Sequence, residues 1–99
     1  MVKYRFEKEV LDLTRKILNE YNNRIAAQKL RFEVIGPKSV KDDESYTSEI
    51  EILFFNNGTM IDILEFFVFR HGKPIEGLDK IKNWLYDSIE DVLSKNKNI

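Results

Sequence analysis

His71 is the only histidine in the 99-residue chain, and it stands between Arg70 and Lys73 in the run Arg70-His71-Gly72-Lys73-Pro74. A lone imidazole works as a general base only when an orienting group and a nucleophile lie within hydrogen-bond reach. The flanking residues supply neither, so the expectation is a solvated loop histidine. Arg70, His71 and Lys73 together could hold an anion beside the start of a following helix. A second group is Glu49, Glu51 and Asp62. Carboxylates gathered on one strand face could hold a hard divalent cation. A nuclease hairpin would place lysine two residues after the acid, and here Glu51, Asp62 and Glu65 are followed at that spacing by Leu53, Leu64 and Phe67. The reading is therefore no catalytic residue, no metal and no cofactor, with a minor metal-dependent hydrolase using the strand acids as an alternative. Asp42-Asp43-Glu44 reads as a solvated acidic loop that could meet a basic partner. The four glycines are isolated at turns, which excludes a glycine-rich phosphate loop. The absence of cysteine excludes disulfides, thiolate zinc sites and cysteine nucleophiles.

The elements that must position these residues follow from periodicity. Phe6, Val10, Leu13, Ile17, Tyr21 and Ile25 recur at steps of three and four, which predicts a helix from about Tyr4 to about Ile25. Asn22-Asn23 are poor helix formers and fray its end. Leu30, Phe32 and Val34 alternate as in a strand. Gly36-Pro37 should stop it, leaving Lys38 to Glu44 as a loop. Two further strands span roughly Ser45 to Asn56 and Thr59 to Arg70. Asn57-Gly58 between them is the signal of a type I′ hairpin turn, in which both central residues need positive φ. A final helix starts at Gly77 or Leu78, with Leu78, Ile81, Leu85, Ile89 and Val92 on one stripe. Asp79 in its first turn suits the helix dipole. The fold class is α+β, in the order α-β-β-β-α. A three-stranded antiparallel meander carries two helices on one face, and residues 1–99 form one domain.

A two-residue turn at Asn57-Gly58 fixes the register, so Phe55 faces Met60 and Leu53 faces Asp62. One sheet face then carries Tyr46, Ile50, Ile52, Phe54, Ile61, Ile63, Phe67 and Phe69, and the helices should pack there. Glu65 is its exception, either turned outward by a bulge or partly buried with a partner. The other face carries Thr47, Glu49, Glu51, Leu53, Phe55, Met60, Asp62, Leu64, Phe66 and Val68. Two helices cover one face only. Contiguous apolar surface left on the other usually marks an interface, unless the first helix or the long loop folds over it. The expected contact residues are Leu53, Phe55, Met60, Leu64, Phe66 and Val68. Trp84, at the edge of the last helix, reads as core packing or as an interface anchor.

The order helix, three strands, helix resembles the double-stranded-RNA-binding domain, and Gly36-Pro37 falls in the first inter-strand loop as that family's Gly-Pro does. The resemblance covers the topology of most of the chain and few residues. It implies RNA binding, with Lys38, Lys41, Lys80 and Lys82 touching phosphates. The family's lysine-rich start to the second helix is replaced here by Gly77-Leu78-Asp79-Lys80-Ile81-Lys82-Asn83, and the histidine after Gly-Pro by Lys38-Ser39-Val40. Sixteen basic against seventeen acidic residues give a net charge of −1, which does not favour a phosphate-binding surface.

Apolar residues make up 42% and charged residues 33% of the chain, a composition that folds rather than stays disordered. The first residues lack the apolar stretch of a signal peptide, and no apolar run exceeds four residues. The expectation is a cytoplasmic, non-enzymatic protein-interaction domain of the adaptor, inhibitor or immunity kind. Its partner is a second copy or another protein, met through the open sheet face or the third-strand edge, with neither nucleic acid nor membrane as partner.

Overall fold

The computed structural model describes residues 2–42, 45–70, 72–74 and 76–97. Helix α1 (Val2–Glu20) leads after a break at Tyr21 into the short α2 (Asn22–Ala27). Strands β1 (Leu30–Asp42), β2 (Ser45–Asn56) and β3 (Thr59–Arg70) follow, then the two-residue β4 (Lys73–Pro74) and helix α3 (Leu78–Lys97). The sheet is antiparallel in the order β1-β2-β3-β4. The α-β-β-β-α order of a mixed α+β fold is thus present, with β4 as a short fourth strand.

Asn57 and Gly58 have φ of 52° and 81°, as a type I′ turn requires. At Gly36-Pro37 the structure departs from the sequence reading. The β1–β2 ladder does not end there. It skips at Ile35/Lys38 and resumes, so Lys38, Ser39, Val40, Lys41 and Asp42 pair with β2 instead of forming a loop. Proline is tolerated because β1 is an edge strand, where a missing N–H need not face a partner. Asp43 and Glu44 of the acidic run lie outside the described residues.

The core lies between the helices and one sheet face. Val10, Ile17, Leu18 and Ile25 of the first helical segments meet Ile50, Ile52 and Phe54 of β2 and Ile81, Leu85, Ile89 and Val92 of α3, all buried. Phe6 of α1 meets Phe69 of β3 edge to face, with ring centroids 5.6 Å apart. Glu20, Tyr21, Arg24 and Gln28 bond to Tyr86, Glu90 and Asn96 at separations of 66 to 69 residues, so the helices run parallel. Arg24 Nη1 and Nη2 donate to the two Glu90 oxygens at 2.9 and 2.8 Å, and the Tyr21 hydroxyl donates to Glu90 Oε2 at 2.9 Å. Tyr86 donates to Glu20 at 2.8 Å, its ring tilted against that of Tyr21. These bonds hold the Glu90 carboxyl down at about 2, Arg24 contributing most and Tyr21 next. Burial, then the bond to Glu90, pushes the Tyr21 phenol up to about 12.

Two predictions follow from these contacts. A depressed carboxyl pKa contributes stability above its unfolded value and loses it as pH falls through the folded value. The urea midpoint should therefore drop between about pH 4.5 and about pH 2, and Glu90→Gln should flatten that part of the profile. Gly36 has φ of 108°, and a Cβ there would stand 2.6 Å from the Glu49 carbonyl oxygen. Gly36→Ala should lower unfolding free energy by roughly 1–3 kcal/mol, as read by urea denaturation.

Candidate interaction surface

The outer side of the sheet is set by how β3 is registered on β2. Phe55 pairs with Met60 as the turn requires, but Phe54 pairs with Asp62, which leaves Ile61 as an extra residue. A second shift pairs Glu49 with Phe67 and Ser48 with Phe69, leaving Val68 extra. Between these two bulges the six residues Asp62 to Phe67 point opposite to the turn-based expectation. Beyond the second bulge Phe69 returns to the buried side, as expected.

Several sequence readings are corrected by this reversal. Val68 is fully buried, and Leu64 and Phe66 pack partly buried against the core, so none of the three belongs to the open face. Ile61, Ile63 and Phe67 were expected beneath the helices and are exposed instead. Asp62 leaves the company of Glu49 and Glu51, turns to the helix side and meets Lys95 of α3 at 3.4 Å. Glu65 takes its place outside, directly opposite Glu51. The driving force is legible in the side chains. With the uninterrupted register Glu65 would sit unpaired in the apolar layer, at a cost of several kcal/mol. The bulges move it to water and bring Leu64 and Phe66 inward, while the inward acid, Asp62, lies where a lysine reaches it.

The resulting outer face has two parts. Near the Asn57-Gly58 turn, Leu53 and Phe55 of β2 lie beside Ile63 and Met60 of β3, with Met60 52% exposed. Arg31 of β1 sits over the Phe55 ring at 5.2 Å and pairs with Glu33. Farther along come Ile35, Glu51 and Glu65, then Lys38, Glu49 and Phe67. Lys38 is ion-paired with Glu51, which raises its pKa, with weaker contributions from Glu49 and Glu65. Arg70 covers the Phe67 ring at 5.4 Å. Among the described residues no element packs over this face. The chain is 17 Å across its thinnest dimension, and a third layer would add roughly 10 Å. Of the expected contact residues, Leu53, Phe55 and Met60 do share this surface.

At the rim of β3 a cavity of about 270 Å³ opens between the strand and α3, lined by Phe66, Phe67, Ile81 and Trp84 with Glu76 and Lys80. Trp84 is 39% exposed and its ring tilts against Phe66 at 5.2 Å. No pattern in the sequence joined Phe66 to Trp84, because the register that unites them depends on the bulges. The helix clamp of Arg24, Tyr21 and Glu90 was missed for a related reason, its members being far apart in the chain.

The other sequence candidates are not brought together. His71 lies outside the described residues. Among the described residues, no group of three or more acids or histidines is placed to hold a metal ion. Of the lysines suggested for phosphate contact, Lys38 is engaged by Glu51 and Lys80 by Glu76 at 3.5 Å. Lys41 pairs through its backbone with Tyr46, and Lys82 is exposed on α3. No helix of the described residues is long and apolar enough to cross a membrane.

Comparison with known protein families, curated proteins and solved structures finds no match.

The reversal of β3 makes a direct prediction. Val68→Glu should cost at least about 3 kcal/mol or prevent folding, because it buries a charge without a partner. Ile63→Glu should stay within about 1 kcal/mol of the native chain in a urea titration run dilute enough to keep both monomeric.

Proposed function

We propose that this chain is a cytoplasmic, non-enzymatic protein-interaction domain, of the adaptor, inhibitor or immunity kind, that self-associates through the open face of its sheet. One observation carries the reading: Ile35, Met60, Ile63 and Phe67 are exposed on a sheet face that no described element covers. A sheet face meant for water is mostly polar, whereas here six large apolar groups on three strands are interleaved with the charges. Monomers rarely leave contiguous apolar surface of several hundred Å² without a use for it. Two such sheets stacked face to face would interdigitate at about 10 Å, as in a sandwich.

The molar mass in solution tests this. Sedimentation of the native chain should give about twice 11.8 kDa. The double variant Ile35→Glu, Met60→Glu should sediment as a folded monomer with an unchanged far-ultraviolet spectrum. A native chain that stays monomeric at every concentration would remove self-association.

A further inference from the structure

The two edges of the sheet are built differently. The β1 edge carries charges at Arg31, Glu33 and Lys38 and is broken by Gly36-Pro37, the devices by which proteins keep an edge from pairing. The β3 edge has neither proline nor lysine from Thr59 to Phe69. Among the described residues it is paired only at its end, where Phe69 and Arg70 meet Pro74 and Lys73 of β4. Between the bulges it offers a regular run from Asp62 to Phe67. The Ile63 N–H is directed away from β2 and donates to the adjacent Asp62 carboxylate at 2.9 Å in a solvent-exposed bond. Alternation along a strand gives the Glu65 N–H the same outward direction. The cavity at Phe66, Ile81 and Trp84 lies beside this run.

We infer that the β3 edge is a strand-addition site for an extended peptide in which a large apolar residue stands next to a lysine or arginine. It is a surface separate from the open face, and the inference rests on the protein-interaction reading only in that both make this chain a binder of polypeptide. Short β4 already shows the edge accepting a strand, and a peptide in line with it runs along Phe67 to Ile63. Its side chains alternate between the two sides of the sheet. The one beside Phe66 enters the cavity against Trp84. Its neighbour in sequence lies on the outer side beside Glu65.

The charges select the second residue. Glu65 stands directly opposite Glu51, an unfavourable like-charge pair. Lys38 engages Glu51 from the β1 side, whereas Glu65 forms no ion pair among the described residues. A basic group on the far side of β3 would flank the Glu51–Glu65 pair with a cation, as Lys38 does on the β1 side. The same charges disfavour a second β3, which would bring Asp62 and Glu65 against Asp62 and Glu65. Backbone bonds supply affinity in strand addition, and the seated side chain supplies specificity.

The test uses the whole chain and a short fluorescein-labelled peptide of alternating threonine and valine with a central phenylalanine–lysine pair. Trp84 is the only tryptophan, so its emission reports the cavity directly. Saturable binding with a blue shift of Trp84 is expected. Alanine for the phenylalanine should weaken it about tenfold or more, and N-methylation of the peptide's edge-facing amides should abolish it. Glu65→Lys should weaken the lysine peptide and favour its glutamate counterpart. Ile35→Glu, Met60→Glu should bind the peptide as the native chain does, so loss of self-association and loss of this site are read separately. The proposal is overturned by absence of saturable binding, by binding indifferent to N-methylation, or by an unmoved Trp84 emission. Concentration-dependent growth in mass that Glu65→Lys alters, without peptide binding, would assign the edge to a second copy instead.

Discussion

The direction in which six residues of β3 point governs the rest of this molecule. Leu64 and Phe66 close the inner layer against the helices only because Ile61 and Val68 are accommodated as extra residues on either side of them. The same two irregularities put Ile63 and Phe67 in contact with solvent and set Glu65 opposite Glu51. Moving one acid out of an apolar layer thus determines which surface is greasy, where its negative charge lies and where the cavity beside α3 forms. A bulge is often treated as local irregularity. Here a pair of them acts as a switch of parity for the segment they enclose.

The helices are held to one another by different chemistry. Their shared stripe of Leu, Ile and Val is non-directional and would tolerate sliding, whereas the fork of Arg24 on Glu90 has fixed geometry. With Tyr21 on the same carboxylate and Tyr86 on Glu20, polar contacts at the rim define where one helix sits along the other. Because that rim is exposed, its main contribution is register rather than stability.

Local signals in the sequence carried far, and non-local ones did not. Asn57-Gly58 announced the central hairpin, and the spacing of Phe6, Val10, Leu13 and Ile17 announced the first helix. Both depend only on neighbours in the chain. Gly36-Pro37 misled because the cost of proline in a sheet depends on whether its strand is at an edge, and strand order is not a local property. The outer face was foreseen as partly apolar, yet in β3 only Met60 of its five expected members lies there. Residues 60–69 are apolar on both alternating sets, so hydrophobic pattern could not choose between them. Each set also holds one acid, Asp62 or Glu65, and it is Lys95, brought near by the fold and not by the local pattern, that meets the acid turned inward.

The parallel helices have a consequence for the order of assembly. Each ladder of the meander joins strands that are adjacent in the chain, so the sheet can zip from the Asn57-Gly58 turn with little loss of chain entropy. The bonds between the helices join residues 66 to 69 positions apart and form only when everything between them is in place. Shielding of the inner surface therefore comes late. Until α3 docks, the part of the inner surface that it covers is bare, and crowding by other chains is most hazardous in that interval.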